Sequence, residues 1–455
     1  MLGGAIIGIS WLAVARVARH DARPRATPLF SRVLIICLLF GPAAVAADSS
    51  SRLGGELTSD LPPPLAVQVT APNVTIPERR ELQARGFFPF HRTRTVQEGL
   101  GPLFVNASCG GCHVNNGRGP ALLSRSTGSL SRMVVKVRPQ VQLGDDPSEL
   151  SGQILDHNSQ GQPPVNAKLS WMASYGRYED GTRYQLRSPK VLLRSKRPLK
   201  GHIRASLRMS PPIIGPGLLE AVPWHALLDL SFAPEAKKDG ISGRINWVID
   251  SRSGTPSAGR FGFKAAHPTV EQQTAAALYN DMQFTNPLFH DKTAAPEVSE
   301  SELAELTMYQ KLGGVPAAIN QDHPQIVRGR TIFFSIGCEL CHRSTLHTGD
   351  YADPELSNQT FHPYSDLLLH YMGSGLADEV AESGAAGGEW RTTPLWGLHL
   401  LPDSSKDSVY LHDGRARTIE EAILWHGGEA ARARQRFLRL KKKERDDLIQ
   451  FLRSL

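Results

Sequence analysis

The sequence contains few cysteines, no long hydrophobic run and no strong excess of either charge. Five of the 455 residues are cysteine, 40% are hydrophobic and 21% are charged. These ordinary fractions exclude a collagen-like, coiled-coil or disordered chain. The length indicates a globular protein that can form two or three domains, each burying a core of its own.

The net charge of +7 is concentrated near the N-terminus. Residues 1–47 carry five arginines against one aspartate, a local charge of +4, so the other residues together contribute only +3. A chain whose main function was to bind nucleic acid would carry a larger positive excess there. We therefore expect no nucleic-acid partner.

The N-terminal segment has the pattern of an export signal. Arg32 precedes an eight-residue apolar run at 33–40, and Ala44-Val45-Ala46 follows. A basic residue, a short apolar run and small residues in this order predict a signal peptide within residues 1–47, cut near Ala46. Because the run is too short to span a bilayer comfortably, export is favoured over a retained membrane anchor, which stays the alternative.

The remaining cysteines lie in two CxxCH motifs. Cys37 falls within the apolar run and would be removed with it, which leaves Cys109-Gly110-Gly111-Cys112-His113 and Cys338-Glu339-Leu340-Cys341-His342. In such a motif two thiols add to the vinyl groups of a haem, and the adjacent histidine reaches the iron as proximal ligand. The sequence therefore predicts two covalently bound c-type haems, with His113 and His342 as iron ligands.

Three other kinds of site contain cysteine pairs at this spacing: a zinc site, a redox-active dithiol and a structural disulfide. Zinc-binding pairs usually lie roughly 15–20 residues apart, whereas 225 residues separate Cys112 from Cys338. A dithiol or a disulfide does not require the histidine that follows each pair. Haem attachment also agrees with export, since c-type haem is attached outside the cytoplasm.

The pattern of apolar residues divides the rest of the chain. Residues 48–94 are polar and proline-rich and predict an irregular lead-in. Alternation of apolar and polar residues, with a turn at Asp180-Gly181, predicts a β-rich insertion over about 131–260. Helical periodicity returns at 270–282, 300–312 and 326–335. These patterns place an N-terminal haem domain at 95–320 and a C-terminal cytochrome c domain at 321–455.

A capping box marks a helix near the C-terminus. Thr418 and Glu421 have the spacing of such a box, and the helix that follows runs through His426 to a stop at Gly427-Gly428. His426 is thus expected at a defined helix end. Amphipathic helices at 430–440 and 444–455 close the chain.

Further motifs strengthen this interpretation. They are Gly101-Pro102-Leu103-Phe104, Gly217-Leu218-Leu219-Glu220-Ala221, Asp239-Gly240-Ile241-Ser242-Gly243-Arg244, Leu367-Leu368-Leu369-His370-Tyr371-Met372-Gly373, Trp390-Arg391-Thr392-Thr393-Pro394-Leu395-Trp396-Gly397 and Leu411-His412-Asp413-Gly414-Arg415-Ala416-Arg417-Thr418. Over roughly residues 95–455 the chain resembles the dihaem oxidoreductase family, of the bacterial dihaem cytochrome c peroxidase superfamily. The resemblance implies two cytochrome c-like domains, a haem in each, and peroxidase or related oxidoreductase activity.

For the C-terminal haem, the resemblance implies His426 as the second axial ligand. In the superfamily this ligand follows the histidine of the His-Asp-Gly motif at a fixed distance, and counting from His412 leads to His426. Well-known peroxidases carry methionine there, so imidazole on both faces of the iron implies a lower potential. A solvent-exposed histidine is the alternative at position 426. Met372 is the rival ligand, unless it packs in the core.

For the N-terminal haem, the resemblance leaves the second axial position unassigned. The histidine that the superfamily carries soon after this motif is absent, and the next histidine is His157, in the predicted β-rich insertion. The position is then open to peroxide, or taken by Met133, Met172 or Met209, of which none stands out.

Peroxide reduction also needs a proton donor, and haem propionates need positive partners. Glu220, in an apolar setting, is our candidate for the distal acid or base, with a surface or helix-capping role as the alternative. Arg415 and Arg417 are our candidates for propionate contacts, unless they are solvated.

Together these patterns predict a mainly α, periplasmic protein with two cytochrome c-like haem domains and a β-rich insertion in the first. We expect it to reduce hydrogen peroxide, or a similar oxidant, at the N-terminal haem. Electrons would enter through the C-terminal haem from a small donor such as a cytochrome c or a cupredoxin. The alternatives are a non-catalytic electron-transfer cytochrome, an enzyme that oxidises a partner protein, and a thiol–disulfide oxidoreductase.

Overall fold

Helices form at the three segments where helical periodicity predicts them. The computed structural model describes residues 51–118, 133–138, 141–143, 146–150, 152–195, 199, 203–291, 293–401 and 409–455. The α-helices of these residues are α1 (Leu65–Gln68), α2 (Pro77–Arg85), α3 (Phe87–His91), α4 (Cys109–Cys112), α5 (Pro216–Glu220), α6 (Trp224–Ser231), α7 (Pro234–Lys238), α8 (Val270–Met282), α9 (Glu300–Lys311), α10 (Pro324–Ser335), α11 (Ile419–Trp425), α12 (Ala431–Arg439) and α13 (Lys442–Ser454).

Strands are spread along the whole described chain, and most are short. They are β1 (Thr58–Ser59), β2 (Leu103–Phe104), β3 (Met133–Arg138), β4 (Val141–Leu143), β5 (Asp146–Leu150), β6 (Gln153–Ile154), β7 (His157–Asn158), β8 (Val165–Arg177), β9 (Arg183–Ser195), β10 (Arg204–Met209), β11 (Trp247–Ile249), β12 (Pro256–Ala258), β13 (Val315–Pro316), β14 (Leu346–His347), β15 (Thr360–Phe361), β16 (Leu369–Tyr371) and β17 (Glu389–Arg391).

The predicted mainly α fold class is wrong. Helix accounts for only 35% of the structure and strand for 21%, in several small sheets. Many strands pair over two or three residues, such as β1 with β13 and β16 with β17. Alternation becomes visible in a sequence only over about four to eight residues, so pairs this short leave no pattern to detect.

The long hairpin of the β-rich insertion confirms the turn predicted at Asp180-Gly181. β8 and β9 pair antiparallel along their whole lengths. The Tyr178 N–H donates to the Thr182 carbonyl oxygen (2.9 Å), and Gly181 takes a φ of +87°. Glycine adopts this left-handed conformation without a steric cost, which closes the turn.

The base of this hairpin packs on a three-stranded sheet of order β10-β3-β6. Val165, Ala167 and Leu169 are buried and alternate with exposed residues along β8. They pack with the buried side chains of β3 and β10 in one apolar cluster. The insertion therefore has a core of its own.

The lead-in predicted as irregular contains regular structure in residues 51–94. β1 pairs in parallel with β13, and α2 packs against α9. Leu53, Leu57 and Val67 are buried in the main core. Apolar residues between the prolines form a buried face of this segment. The proline content alone does not predict that face.

The second CxxCH motif is supported by the packing of α10 against α13. Phe333 and Phe451 meet edge to face with ring centroids 5.4 Å apart, and Tyr364 contacts both rings. Gly329 permits the close approach of the helices, because an added Cβ would lie 2.0 Å from the Asp447 carbonyl oxygen. Helix α10 is thereby fixed where it leads into the motif.

Contacts group the described residues into one compact unit. The division into two haem domains near residue 320 therefore stays a prediction. The signal peptide predicted at 1–47 lies outside the described residues and also stays a prediction. Within the described ranges, no helix is both long enough and apolar enough to cross a membrane.

We expect Gly329→Ala to destabilise the protein, because the added methyl group forces α10 away from α13. Overpacking of this kind costs about 1–3 kcal/mol. The free energy of unfolding from urea denaturation measures the effect. Thr331→Ala, on the exposed face of α10, is the matched control and should change stability by less than about 0.5 kcal/mol. Equal stability of the two variants would contradict this account of the helix contact.

Candidate haem centres

The second CxxCH motif forms a tight turn directly after α10. Helix α10 ends at Ser335, and Gly337 then adopts a left-handed conformation (φ +87°) that reverses the chain. The His342 N–H donates to the Cys338 carbonyl oxygen (3.0 Å). Cys338, Cys341 and His342 consequently line one cavity.

His342 and His426 lie opposite each other in this cavity. Their ring centroids are 6.4 Å apart, and the ring planes are inclined by 44°. A metal ion binds imidazole nitrogen at about 2 Å, so this spacing accommodates a single ion between the two rings. The predicted axial pair is thus brought together by the fold.

Backbone carbonyls set the tautomer of both imidazoles. Nδ1 of His342 lies 2.9 Å from the Tyr364 carbonyl oxygen, and Nδ1 of His426 lies 2.8 Å from the Ala422 carbonyl oxygen. A carbonyl oxygen only accepts, so each Nδ1 carries the proton and each Nε2 keeps a lone pair. Burial lowers the pKa of His342 to about 4 and lowers that of His426. Both rings are therefore neutral, as metal ligands must be.

The cavity around these histidines suits a haem in polarity. Most of its wall is apolar. Apolar lining residues include Ile241, Phe263, Phe333, Leu376, Leu395 and Ile423. Cysteines for attachment, two neutral imidazoles and an apolar wall together fit a covalently held haem.

The motif cysteines have the properties of attachment sites and not of a redox-active dithiol. None of the four forms a disulfide. Burial raises the pKa of Cys109 to about 11 and that of Cys338 to about 12. Exchange of disulfides requires a thiol of lowered pKa, because the thiolate is the nucleophile. The thiol–disulfide oxidoreductase alternative is therefore disfavoured.

A buried ion cluster lies beside the attachment side of the second site. Nε2 of His370 lies 2.9 Å from Asp366 Oδ2, and Nδ1 lies 2.9 Å from Glu429 Oε2 and 3.8 Å from Cys341 Sγ. Burial opposes the charged imidazole, but Asp366 raises the pKa of His370 well above its usual value. Cys341, Asp366 and His370 are close enough to hold a metal. Carboxylates engage both nitrogens of His370, however, so no lone pair is left for one.

Glu429 connects this cluster to the distal histidine. Its carboxylate also accepts hydrogen bonds from the amides of Ser242 (2.8 Å) and Tyr371 (3.1 Å). Glu429 directly follows Gly427-Gly428, the turn after His426. The same network thus holds the chain on both sides of the second haem site.

The first CxxCH motif is a single helical turn, α4. Ser108 caps it, since its Oγ accepts from the Gly111 N–H (3.0 Å). Nδ1 of His113 lies 2.8 Å from the Pro211 carbonyl oxygen, and burial lowers the pKa of His113 to about 4. His113 is therefore a neutral imidazole with a free lone pair on Nε2, like His342.

The two sites differ in the ring that lies next to the histidine of the motif. Phe90 contacts His113, with ring centroids 6.3 Å apart. Within the described part of the chain, no second imidazole lies at the spacing found between His342 and His426. His157 instead stacks on Phe104, 5.4 Å away.

The methionines considered for the first haem lie in the insertion. Met133 and Met209 are buried partners in the pairing of β3 with β10. Met172 is 52% exposed on β8. This packing favours core and surface roles for them.

His91, which the sequence analysis overlooked, lies against the first motif. An added Cβ on Gly110 would lie 2.8 Å from its Cδ2. Nδ1 lies 2.9 Å from the Phe87 carbonyl oxygen, and Nε2 is buried with no hydrogen-bond partner among the described residues. His91 precedes the motif by many residues, so only the tertiary contact identifies it.

Glu220 lies in an ion-pair network with no haem-motif residue among its bonded partners. Its Oε2 accepts from the Val270 N–H (2.5 Å) at the start of α8. Its Oε1 accepts from the Tyr351 hydroxyl and from Lys311 (3.3 Å). Both oxygens are engaged, which favours the helix-capping alternative over the acid–base role.

The two arginines proposed for propionates are paired within the protein. Buried Arg415 binds Asp413 at 2.7 Å, and the half-exposed Arg417 binds Glu421 at 2.7 Å. Neither side chain lines the haem cavity. Met372 does line it and stays the rival of His426.

A stacked pair that the sequence did not reveal forms part of the cavity wall. The rings of Trp390 and His412 lie 3.6 Å apart and nearly parallel. Lys264 Nζ lies 3.8 Å and Arg208 Cζ 4.7 Å from the Trp390 ring centre. Two cations this close oppose removal of an electron from the indole.

Comparison with known proteins agrees with this geometry. The family described as "Di-haem oxidoreductase, putative peroxidase" matches residues 178–301 and 290–455. No curated protein matches the chain. Among solved structures, hydrazine synthase of Kuenenia stuttgartiensis is similar at 20% identity and a TM-score of 0.26, over 40% of this chain. The chain spans 61% of the length of that protein.

We expect His426→Ala to remove the low-spin signal of the second haem from the electron paramagnetic resonance spectrum of the oxidised protein, because one axial imidazole is lost. Met372→Leu should leave that signal unchanged. His347→Ala, an exposed histidine on β14, is the control. Retention of the signal in His426→Ala together with its loss in Met372→Leu would assign the ligand to the thioether.

Proposed function

The chain belongs to the di-haem oxidoreductase family, and from that premise we propose that it reduces hydrogen peroxide, or a similar two-electron oxidant, at the Cys109–His113 site. Electrons enter at the Cys338–His342 site. The observation that carries this proposal is the difference between the two histidines: His342 has His426 opposite it, whereas His113 has no such partner among the described residues.

Family membership implies two haems, and we propose that both are held covalently. Cys109 and Cys112 would hold one haem, and Cys338 and Cys341 the other. Each haem supplies the one-electron redox chemistry that no side chain provides. The protein supplies His113, whose bond to the Pro211 carbonyl orients the ring and increases its basicity as proximal ligand.

The second site has the properties of an electron-entry site. Its two imidazoles are fixed by backbone carbonyls, and its ion cluster is buried. If His342 and His426 both held the iron, this site would exchange electrons without binding the oxidant. We propose that the first site, where no second imidazole of the described residues lies opposite His113, receives the oxidant instead.

Reduction of peroxide to water also consumes protons, and we propose that Asp281 delivers them. Its negative charge contributes to the raised pKa of Cys109, and its backbone carbonyl accepts from the Val105 N–H (2.7 Å) just before the first motif. Gln153 donates to its Oδ1 (2.7 Å). Burial raises the pKa of Asp281, which keeps the carboxyl protonated to a higher pH than an exposed aspartate.

The electron donor would be a small acidic protein that docks beside the second site. Helix α12 carries Arg432, Arg434, Arg436 and Arg439, and the first two line the haem cavity. Asp239 pairs with Arg432 and Arg436, and Glu179 pairs with Arg439, so the group keeps an excess of positive charge. Charge complementarity speeds association of a donor such as a cytochrome c or a cupredoxin. Such donors act outside the cytoplasm, and we propose a periplasmic location, which the predicted export signal supports.

We expect the half-reduced protein, supplied with an excess of a one-electron donor, to consume peroxide. Reduction of one peroxide to water takes two electrons, and the second haem would hold only one of them at a time, so the donor supplies the other. Turnover and optical spectra of the oxidised and half-reduced protein test this. Absence of both turnover and any spectral response in either state would leave the non-catalytic electron-transfer cytochrome as the function.

For Asp281→Asn we expect a fall of about 100-fold in kcat/KM for peroxide, the usual contribution of a general acid or base. Wild-type activity should fall as pH rises through the pKa of Asp281, because the protonated form acts, and this limb should be absent in the variant. Asp281→Glu should recover part of the rate. Asp291→Asn, an exposed aspartate, is the control. A first haem with an altered spectrum in Asp281→Asn would indicate a structural role instead.

A further inference from the structure

Two arginines in the wall of the second haem cavity lack a carboxylate partner. Arg118 Nη1 donates to the carbonyl oxygens of Leu411 (2.7 Å) and Val409 (3.4 Å). In Arg391, Nε donates to the Gly262 carbonyl oxygen (3.0 Å) and Nη1 to that of Thr392 (3.0 Å). Among the described residues, carbonyl oxygens are the hydrogen-bond partners of both guanidinium groups.

The two acids that act electrostatically on these arginines are each paired with another residue. Asp413 influences Arg118 but is bound by Arg415 at 2.7 Å. Asp366 influences Arg391 but is bound by His370 at 2.9 Å. Each arginine thus retains a positive charge that no ion pair of the described residues balances.

Such charges are costly away from water. Burial lowers the pKa of Arg118 and of Arg391 to about 10, a sign of how strongly the surroundings oppose the charged form. An unpaired buried charge costs several kcal/mol, and a carboxylate brought to it removes much of that cost. The planar fork of arginine matches the two oxygens of a carboxylate.

We propose that Arg118 and Arg391 form a carboxylate-binding subsite that receives the propionates of the haem held by Cys338 and Cys341. Both side chains line the cavity that contains this attachment site. They replace Arg415 and Arg417, which lie outside the cavity wall and have protein partners.

Arg118 also gives this subsite a connection to the first haem. It stands five residues after His113, in the segment that leaves the first motif, yet it reaches the cavity of the second. A propionate bound to Arg118 would therefore place the second haem next to the peptide that holds the first. This is the contact expected where electrons pass between two sites.

The inference rests on the proposal that a haem is attached at the second motif. The test uses the holoprotein with Arg118→Gln, Arg391→Gln and the double variant, alongside Arg118→Lys and Arg391→Lys. The midpoint potential of the second haem is measured by optical redox titration, and its propionate bending band by resonance Raman spectroscopy. Arg417→Gln, which removes an exposed arginine, is the control.

Each glutamine variant should shift the potential of the second haem to more negative values, because loss of a nearby positive charge favours the ferric state. The shift should be larger in the double variant, and the propionate band should move with it. Lysine at either position keeps the charge and should restore most of the potential but not the band position, since it lacks the fork. The control should match the wild type.

An unchanged potential and an unchanged propionate band in the double variant, with the axial histidine signal intact, would overturn the subsite. That result leaves peroxide reduction untouched. Conversely, absence of peroxide turnover in the wild-type protein would refute the proposed function. The midpoint potential of the second haem and its propionate band would still test the role of Arg118 and Arg391.

Discussion

A hydrogen bond from Nδ1 to a backbone carbonyl holds each of the three histidines of the candidate haem centres, and both centres depend on this interaction. His113 bonds to Pro211, His342 to Tyr364 and His426 to Ala422. Each bond fixes the tautomer, directs the Nε2 lone pair and links the position of the iron to the backbone. The carbonyl of Pro211 comes from the segment after β10, so the β-rich insertion takes part in the first centre.

Charge inside the protein is arranged around the second centre. The His370 cluster with Asp366 and Glu429 has ion-pair partners within the chain and ties the distal turn to the attachment side. Arg118 and Arg391, in contrast, have no carboxylate among the described residues. The buried acids described near them, Asp413 and Asp366, have other partners, and we propose that these two cations serve the haem propionates. Trp390 belongs to the same wall, and the cations beside it make that indole a poor site for oxidation.

Much of the second centre could be predicted from the sequence, whereas much of the first centre could not. The CxxCH spacing, the capping box at Thr418 and the position of His426 are local or family features, and Thr418 Oγ1 does accept from the Glu421 N–H. The roles predicted for Glu220, Arg415 and Arg417 depended on which acids and bases lie nearby. In the fold these residues meet Val270, Asp413 and Glu421, each of which satisfies them. The mainly α fold class failed for a related reason, since two-residue strand pairs exist only once distant segments meet.

The sequence by itself predicted two attachment sites and their proximal ligands, and it correctly predicted α10, the helix that leads into the second motif. These follow from short-range chemistry: thiols and an imidazole at fixed spacing, and apolar residues at helical intervals. Only the tertiary structure decided which histidine faces which, which arginine lacks a partner, and which carboxyl group approaches the first motif. Those properties depend on contacts between residues far apart in the chain, such as Arg118 with Leu411 and His342 with His426. The sequence already predicted a second imidazole for one motif and none for the other; the fold places His426 beside His342 and, among the described residues, no such imidazole beside His113.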